Sequence, residues 1–152
     1  MMDSPVGSLL LESDGTALTA IRFATHKGRR LELPDRAVPD RVLREAKRQL
    51  REYFAGRRRH FDLPLRPTGT EFQRKTWAVL LEIPYSETIS YAELARRMGQ
   101  PRAARAVGAA NGANPISLVV PCHRVIASGG GLGGYGGGLE IKRRLLELEG
   151  AL

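Results

Sequence analysis

The stretch NPISLVVPCHRVIASGG, residues 114–130, places the only cysteine of the 152-residue sequence, Cys122, between a proline and a histidine, directly after an apolar run. A single cysteine cannot form an internal disulfide, and it supplies at most one thiolate to a metal. The sequence therefore excludes a disulfide framework and a Cys-rich zinc site. Cys122 serves either core packing or chemistry.

His123 and Arg124 follow Cys122 directly. A thiol attacks as its thiolate, which forms at neutral pH when a base or a positive environment lowers the cysteine pKa. Because adjacent side chains on an extended segment point to opposite faces, we expect His123 to act through a water or on a backbone turn. The alternative is a buried, inert cysteine, which is the common state of free thiols.

The formal net charge is +8, with 24 Lys and Arg against 16 Asp and Glu, and this balance favours polyanionic partners. No acidic residue lies between Leu94 and Leu139. An acid-free stretch around the cysteine fits a surface that faces phosphates, with a solvated basic face as the alternative. The arginines of this window are Arg96, Arg97, Arg102, Arg105 and Arg124.

The N-terminal half predicts a small sheet with one helix packed on it. The runs SLLLE (8–12) and ALTAIRF (17–23) flank Asp14-Gly15, a strong hairpin signal. Apolar residues then recur at helical spacing over residues 39–56, with Asp40 as the expected N-cap.

A third strand and a linker are predicted to close this half. The linker is rich in proline and glycine and lies near Arg66 to Gly69, which divides the chain into domains 1–66 and 67–152. The strand is predicted from the alternation of Phe61, Leu63 and Leu65.

The second half predicts helices. Thr70 with Gln73 and Ser90 with Glu93 form capping boxes, each ahead of an apolar helical pattern. Pro101 is placed as the first residue of the next helix, PRAARAVGAANG. Two short helices separated by a tight turn make a helix-turn-helix candidate.

The second helix of this pair has few long side chains, Arg102 and Arg105 being the only ones before Asn111. Such a slim helix can approach another surface closely, for example the narrow minor groove of DNA. Tight packing against the protein's own core is the alternative. Its small residues are Ala103, Ala104, Ala106, Gly108, Ala109 and Ala110.

Glycine fills eight of the ten positions from Gly129 to Gly138, which predicts a loop. The loop lacks the Lys-Ser/Thr ending of a P-loop and follows no dinucleotide-binding pattern, so nucleotide binding is excluded. It is either a flexible linker or a wall that lets a ligand lie close to backbone. The closing residues LEIKRRLLELEG predict a helix that buries Ile141, Leu145 and Leu148.

The segment NPISLVVPCHRVI resembles the active-site signature of the O6-alkylguanine-DNA alkyltransferases. Further stretches resemble that family in the same order: GTEFQRKTW, IPYSETISYAELA, ARAVGAANGANP, GGYGGGL and LLELEG. The resemblance is strong over residues 69–150. It implies an α/β N-terminal domain of ribonuclease-H-like topology and a mainly α C-terminal domain with a winged helix-turn-helix-like DNA-binding motif.

The resemblance also implies a reaction, in which a damaged guanine is flipped out of duplex DNA and its O6-alkyl group passes irreversibly to the cysteine. It implies Cys122 as the nucleophile, His123 as the base acting through a water, Glu149 as the residue that holds the imidazole, and Tyr91 as a donor to the leaving guanine. These four are the expected catalytic residues.

Four further expected site residues follow from the same resemblance. Arg105 would occupy the space that the flipped base leaves. Asn114 would be a hinge before the active-site segment, and Tyr135 and Gly136 would wall the base pocket. The slim helix and the basic window add the other residues of the expected DNA-binding set, which is Arg105 with Arg102, Ala103, Ala104, Gly108 and Arg124.

Two departures from the family pattern concern metal and specificity. Some members carry a structural zinc in the N-terminal domain, but here only His26 and His60 lie there, so no metal and no cofactor are expected. Some relatives have a serine where this chain has Gly136, a change that affects which alkyl groups or leaving bases are tolerated. The presence of Cys122 sets the chain apart from inactive relatives that only bind lesions.

Three function classes remain open from the residues themselves: a stoichiometric DNA alkyltransferase, a lesion-binding helix-turn-helix protein, and a Cys-His hydrolase. The basic window argues against the hydrolase, and the Pro-Cys-His-Arg segment argues against binding alone. The expected partner is double-stranded DNA containing O6-alkylguanine, bound through the minor groove. No apolar run is long enough to span a bilayer, and we expect a cytoplasmic monomer.

Overall fold

The computed structural model describes residues 1–26, 29–30 and 40–152. In the N-terminal half the elements are β1 (Leu9–Ser13), β2 (Leu18–Phe23), β3 (Thr25–His26), β4 (Arg29–Arg30) and α1 (Arg41–Phe54). In the C-terminal half they are α2 (Glu71–Leu80), β5 (Ile89–Ser90), α3 (Tyr91–Arg97), α4 (Ala104–Gly112), β6 (Val125–Ile126) and α5 (Leu139–Leu148). A 3-10 turn covers Cys122–Arg124.

The first hairpin forms where the sequence predicts it. Strands β1 and β2 pair antiparallel, with Leu9 opposite Phe23. The Asp14 carboxylate accepts hydrogen bonds from the backbone N–H groups of Thr16 and Ala17, and Gly15 takes a left-handed φ of 94°. The Asp-Gly pair therefore closes the hairpin through its side chain and its backbone freedom.

Helix α1 is capped by Asp40, as expected, and the cap also ties the helix to the hairpin. One carboxylate oxygen of Asp40 accepts from Leu43 N at 3.0 Å, and the other accepts from the Ser13 hydroxyl at 2.7 Å. Pro39, which opens the predicted helical segment, lies outside the described residues. The buried apolar face of α1 consists of Val42, Ala46, Leu50 and Tyr53.

The strand predicted from Phe61 to Leu65 is wrong. Only Leu65 makes a bridge, parallel to Leu18. The backbone N–H and C=O of Asp62 both bond to the Gln49 side-chain amide, at 2.8 and 2.9 Å. A helix side chain thus satisfies the backbone groups that a strand partner would have taken.

Helix α2 begins with the predicted capping box of Thr70 and Gln73. It positions the buried Trp77, whose indole N–H donates to Ala110 O at 2.8 Å. Because Ala110 lies on α4, this bond fixes α4 against α2. A Cβ on Gly69 would lie 2.4 Å from the Trp77 ring, so only glycine fits there.

The connection between α3 and α4 is longer than predicted. Ser90 caps α3 through Glu93 N, but the Glu93 carboxylate pairs with Arg96 and Arg97, so it does not complete the box. The prediction that a helix starts at Pro101 is wrong, because α4 begins only at Ala104. A turn closed by Ala103 N and Gln100 O at 2.9 Å occupies the backbone in between.

The two halves share one core around the segment that precedes Cys122. Ile21 N donates to Pro115 O at 3.0 Å, and Ser117 N donates to Ile21 O at 3.2 Å, so this segment is bonded to β2. Downstream, β5 pairs in parallel with β6, directly after the 3-10 turn. The cysteine segment is therefore held between both halves.

Among the described residues no helix has the length and apolarity that a bilayer crossing requires.

We expect Gly69→Ala to lower the free energy of unfolding by about 1 to 3 kcal/mol, because the new methyl group overlaps the Trp77 ring. Gly129→Ala is the control, since a Cβ there meets no atom within 4 Å. Urea denaturation measures both. Equal stability of the two variants would contradict the close packing of Trp77.

Candidate active site

Cys122 lies on the 3-10 turn at the end of a tight bend. Within the apolar run, Val120 N donates to Ile116 O at 3.0 Å, and Leu118 takes a left-handed φ of 74°. The bend is spanned by Asn114, whose amide accepts from Ile116 N at 3.0 Å and donates to Val120 O at 2.8 Å. Asn114 thus forms hydrogen bonds to the backbone on both sides of the bend and fixes the position of Cys122.

Cys122 lines a cavity of about 470 Å³, within the usual range for a small-ligand pocket. Helices α3 and α4, the active-site segment and the glycine loop all contribute to the lining. The expected pocket residues Asn114, Tyr135 and Gly136 lie there, as do Tyr91 and Gly108.

The glycine loop passes so close to two aromatic rings that a side chain at either of two of its positions would overlap them. A Cβ on Gly133, whose φ is 73°, would lie 2.8 Å from the Tyr91 hydroxyl oxygen. A Cβ on Gly137 would lie 2.7 Å from the Phe23 ring. The loop is therefore a wall with its backbone against the cavity, as one of the two sequence interpretations predicts.

Behind the cysteine, the Glu149 carboxylate receives hydrogen bonds from four residues. Oε2 lies 2.6 Å from His123 Nε2, accepts from the Tyr53 hydroxyl at 2.6 Å and accepts from Arg124 at 3.2 Å. Oε1 accepts from Arg124 Nε at 2.8 Å and from Ser86 N at 3.3 Å. Glu149 is only 3% exposed, so these contacts take the place of water.

Glu149 is ionised in this setting. Burial favours the protonated acid, but the hydrogen bonds from His123, Arg124 and Tyr53 outweigh burial and lower the pKa of Glu149 to about 2. An ionised carboxylate is an acceptor only. His123 Nε2 must therefore carry the proton that bonds Glu149.

Burial lowers the pKa of His123, and the nearby charges of Arg124 and Lys142 act in the same direction against the raising effect of Glu149. The resting imidazole is neutral. Its Nδ1 has no protein hydrogen-bond partner among the described residues. With Nε2 protonated, Nδ1 carries a free lone pair and is the basic atom of the site.

Burial raises the pKa of the Cys122 thiol, while a hydrogen bond from Asn114 and the charge of Lys142 lower it. The resting residue is therefore a thiol that needs a base. Lys142 is fully buried on α5, and its ammonium donates to Val125 O at 2.6 Å and to Gly134 O at 3.3 Å. It links the glycine loop to the strand that follows the active-site turn.

The assignment of Arg124 to the DNA-binding surface is wrong. Arg124 is only 6% exposed, and it donates to both oxygens of Glu149 and to Ile83 O at 2.8 Å. A buried carboxylate needs a cation close to it, and Arg124 supplies that charge. Its guanidinium therefore points into the protein.

The other basic residues of the acid-free window lie at the surface. Arg102 is exposed in the turn before α4, and Arg105 is exposed on α4 itself. Neither forms an ion pair within the described parts of the chain. Arg96 and Arg97 share Glu93, so their charge is partly neutralised. Ala103 and Ala104, from the expected DNA-binding set, are partly buried and pack against the core.

Sequence reasoning missed Tyr53 and Lys142, and placed the buried face of α5 partly wrong. That face consists of Lys142, Leu145 and Leu146 and continues to Glu149, whereas Ile141 and Leu148 are only partly buried. The sequence did carry a signal for Lys142 and Glu149: these two charged residues lie seven positions apart, on the helix face that carries the leucines. The sequence carried no such signal for Tyr53, since an aromatic residue on a buried helix face is ordinary core.

No group of three or more His, Cys, Asp and Glu side chains suited to a metal occurs in the part of the chain that the structure describes. The His26 side chain, considered above as a metal ligand, is outside that part.

Comparison with known proteins places this site in a family. The model described as 6-O-methylguanine DNA methyltransferase, ribonuclease-like domain, matches residues 1–67, and the one for the DNA binding domain of the same family matches residues 71–151. The chain belongs to the 6-O-methylguanine DNA methyltransferase family. It has the two-domain architecture of that family, and the expected family membership is confirmed.

Individual relatives are similar over nearly the whole chain. A methylated-DNA--protein-cysteine methyltransferase of Methanosarcina acetivorans is 49% identical, over 99% of this chain and 97% of the relative. One from Mycobacterium tuberculosis is 50% identical, over 97% of this chain and 89% of the relative. The crystal structure of Mycobacterium tuberculosis OGT in complex with DNA superposes with a TM-score of 0.89 at 47% identity, covering 99% of this chain and 91% of that chain.

We expect Glu149→Gln to cost about 3 to 5 kcal/mol of stability near neutral pH, because the change leaves the Arg124 charge buried and unpaired. The pKa of Glu149 is lowered from 4.5 to about 2 in the folded protein. Its ionisation therefore stabilises the fold fully above pH 4.5, and this stabilisation is lost as the pH falls toward 2. Urea denaturation between neutral pH and pH 2 measures the difference in free energy of unfolding between the wild type and Glu149→Gln. A difference that stays constant with pH would contradict an ionised Glu149.

Proposed function

We infer that this protein repairs DNA by transferring an alkyl group from O6 of a damaged guanine to its own cysteine, and we propose that Cys122 is the acceptor. The observation that carries the proposal is the position of the only cysteine, on the pocket wall and next to a buried base. The Cys122 sulfur forms a bond to the alkyl carbon as the bond from that carbon to O6 breaks. The thioether that results is stable, so each molecule reacts once.

His123 generates the thiolate. Its Nδ1 takes the thiol proton through a water, while the proton on Nε2 stays on the ring and remains hydrogen-bonded to Glu149, which stabilises the imidazolium formed. Because burial keeps the resting thiol protonated, this transfer is a necessary step of the reaction. The guanine leaves as its anion and takes up one proton, equal in number to the proton that the thiol gave up, so the reaction balances without a metal or a cofactor.

Tyr91 assists departure of the guanine. The residue lines the pocket, and burial together with the nearby Cys122 raises the pKa of its phenol, so it remains a proton donor. A hydrogen bond from Tyr91 to the base makes guanine a better leaving group. Asn114 holds the bend that presents Cys122, while the backbone at Tyr135 and Gly136 walls the base.

The partner is double-stranded DNA containing O6-alkylguanine. We propose that α3 and α4 form the helix-turn-helix and that the exposed face of α4 enters the minor groove. Gly108 and exposed Ala106 and Ala109 leave that face bare, and Arg105 projects from it, as insertion into the base stack requires. Arg102 lies exposed beside the helix and would bind a phosphate. The solved Mycobacterium tuberculosis OGT complex with DNA supports DNA as the partner.

We further propose that the domains meet near Arg66 to Gly69, in the linker ahead of α2. We also propose that the protein acts as a monomer in the cytoplasm, where thiols remain reduced.

Cys122→Ser should abolish alkyl transfer but retain DNA binding, because an alcohol is far less acidic and less nucleophilic than a thiol. The test incubates the protein with an oligonucleotide containing O6-methylguanine and measures its intact mass. The wild type should gain one methyl group on Cys122. An unchanged wild-type mass with tight binding would indicate a lesion-binding protein, and transfer by the serine variant would remove Cys122 as nucleophile.

Arg105→Ala should slow repair of duplex DNA much more than reaction with free O6-benzylguanine, since only the duplex must be unstacked, at a cost of a few kcal/mol. Single-turnover rates on both substrates measure this. Equal slowing would place Arg105 in pocket chemistry and not in base flipping.

Arg102→Ala should reduce the slope of log affinity against log salt by about 0.9, the value for one phosphate contact. Arg102→Lys keeps the charge and should keep the wild-type slope. Binding to an undamaged duplex at several salt concentrations provides both slopes. A slope that is the same in all three proteins would assign Arg102 to a solvated surface.

A further inference from the structure

A tyrosine of the N-terminal half reaches into the site behind Cys122. Tyr53 lies on α1, is fully buried, and donates its hydroxyl proton to Glu149 Oε2 at 2.6 Å. The same oxygen accepts from His123 Nε2 at 2.6 Å. Within the described residues, Tyr53 is the only one before residue 67 whose side chain bonds Glu149.

The ring of Tyr53 is packed among three other aromatic rings. Its centroid lies 5.3 Å from the Phe54 ring, 5.4 Å from the Phe61 ring and 6.3 Å from the Tyr85 ring. Burial, followed by the negative charge of Glu149, raises the pKa of Tyr53, so the phenol remains a donor. A phenylalanine would fill the same space, which means that the hydroxyl group alone makes the contact with Glu149.

We propose that Tyr53 is a positioning residue for the alkyl transfer, whose hydroxyl holds the Glu149 carboxylate in place against His123 and shares the oxygen to which the imidazole donates. The proposal rests on the proposed function of Cys122 and His123. Through this contact the N-terminal half acts on the chemistry of the C-terminal half.

The charged and titratable groups that face His123 and Glu149 come from every element packed around them. Arg124 lies on the same turn as His123, Lys142 lies on α5, and Tyr135 lies in the glycine loop, with Cys122 adjacent. All of them are unchanged by Tyr53→Phe. A shift in the titration of His123 in that variant therefore reports the lost hydrogen bond.

The direction of that shift follows from the chemistry of the shared oxygen. A donor to a carboxylate withdraws negative charge from it and weakens it as a partner for another donor. When the Tyr53 hydroxyl is removed, Oε2 offers more charge to the imidazolium, so the pKa of His123 should rise. The carboxylate also loses one of the contacts that fix its orientation, so transfer should slow.

The experiment compares wild type, Tyr53→Phe and Tyr85→Phe. Tyr85→Phe is the matched control, since it removes a hydroxyl from a ring that contacts Tyr53, but that hydroxyl faces Leu148 O at 3.4 Å and makes no contact with Glu149. Two quantities are measured: the pH dependence of methyl transfer from an O6-methylguanine oligonucleotide, and the pKa of His123 from its imidazole NMR signals.

In Tyr53→Phe we expect transfer to be about threefold to tenfold slower, and both the imidazole pKa and the corresponding limb of the pH profile to move up by about 0.3 to 1 unit. Tyr85→Phe should match the wild type in both. A Tyr53→Phe protein that is slower or less stable but titrates as the wild type does would overturn the proposal, because lost packing alone does not move the pKa.

A double-mutant cycle provides the second test. If Tyr53 acts through Glu149, Tyr53→Phe should change the rate of transfer little in a Glu149→Gln background, whereas an additive effect would overturn the proposal.

The measurement on the wild-type protein separates this proposal from the proposed function. Wild-type transfer with an unshifted Tyr53→Phe profile overturns only the role of Tyr53, while absence of wild-type transfer overturns both.

Discussion

The buried carboxylate of Glu149 is the constraint on which the rest of the site depends. An isolated carboxylate in the interior would cost far more free energy than a domain of this size has to spare. It is retained because donors converge on it from the active-site turn, from α1 through Tyr53 and from the loop at Ser86. Burying this one charge fixes the relative positions of three parts of the chain.

Burial and Arg124 together limit what that charge does to the histidine. A carboxylate hydrogen-bonded to His123 raises the imidazole pKa, and a protonated ring cannot accept a proton from Cys122. Burial lowers the pKa of His123 most, and Arg124, which pairs with Glu149, adds a positive charge that acts in the same direction, so that the imidazole rests neutral. The arginine of the Pro-Cys-His-Arg segment therefore contributes to the base from inside the fold.

Local signals in the sequence predicted local structure well. Asp40 and Thr70 begin helices because their side chains satisfy free N–H groups within three residues, a contact that depends on neighbouring sequence alone. The strand expected from Phe61 to Leu65 did not form, and Gln49, on another element, takes both backbone bonds of Asp62 within it. Such a competitor cannot be identified from sequence spacing.

The site was predictable to the extent that it lies in continuous motifs. The segment around Cys122 and its resemblance to a known family pointed to the pocket residues, and the structure places Asn114 and Tyr135 around the cavity. The basic window led to the wrong prediction that Arg124 lies on the DNA-binding surface, because composition does not distinguish a buried cation from a surface one. Tyr53 was missed because its partner Glu149 lies 96 positions away in the sequence.

The central claim is that an ionised Glu149 holds a neutral His123 with its proton on Nε2, which leaves Nδ1 free to accept the Cys122 proton. The most direct measurement is the ¹⁵N NMR spectrum of the His123 ring in labelled protein near neutral pH, since the two ring nitrogens differ strongly in shift between tautomers and charge states. The account predicts a neutral ring with protonated Nε2 and bare Nδ1. A ring that is doubly protonated at rest, or one that carries its proton on Nδ1, would contradict it.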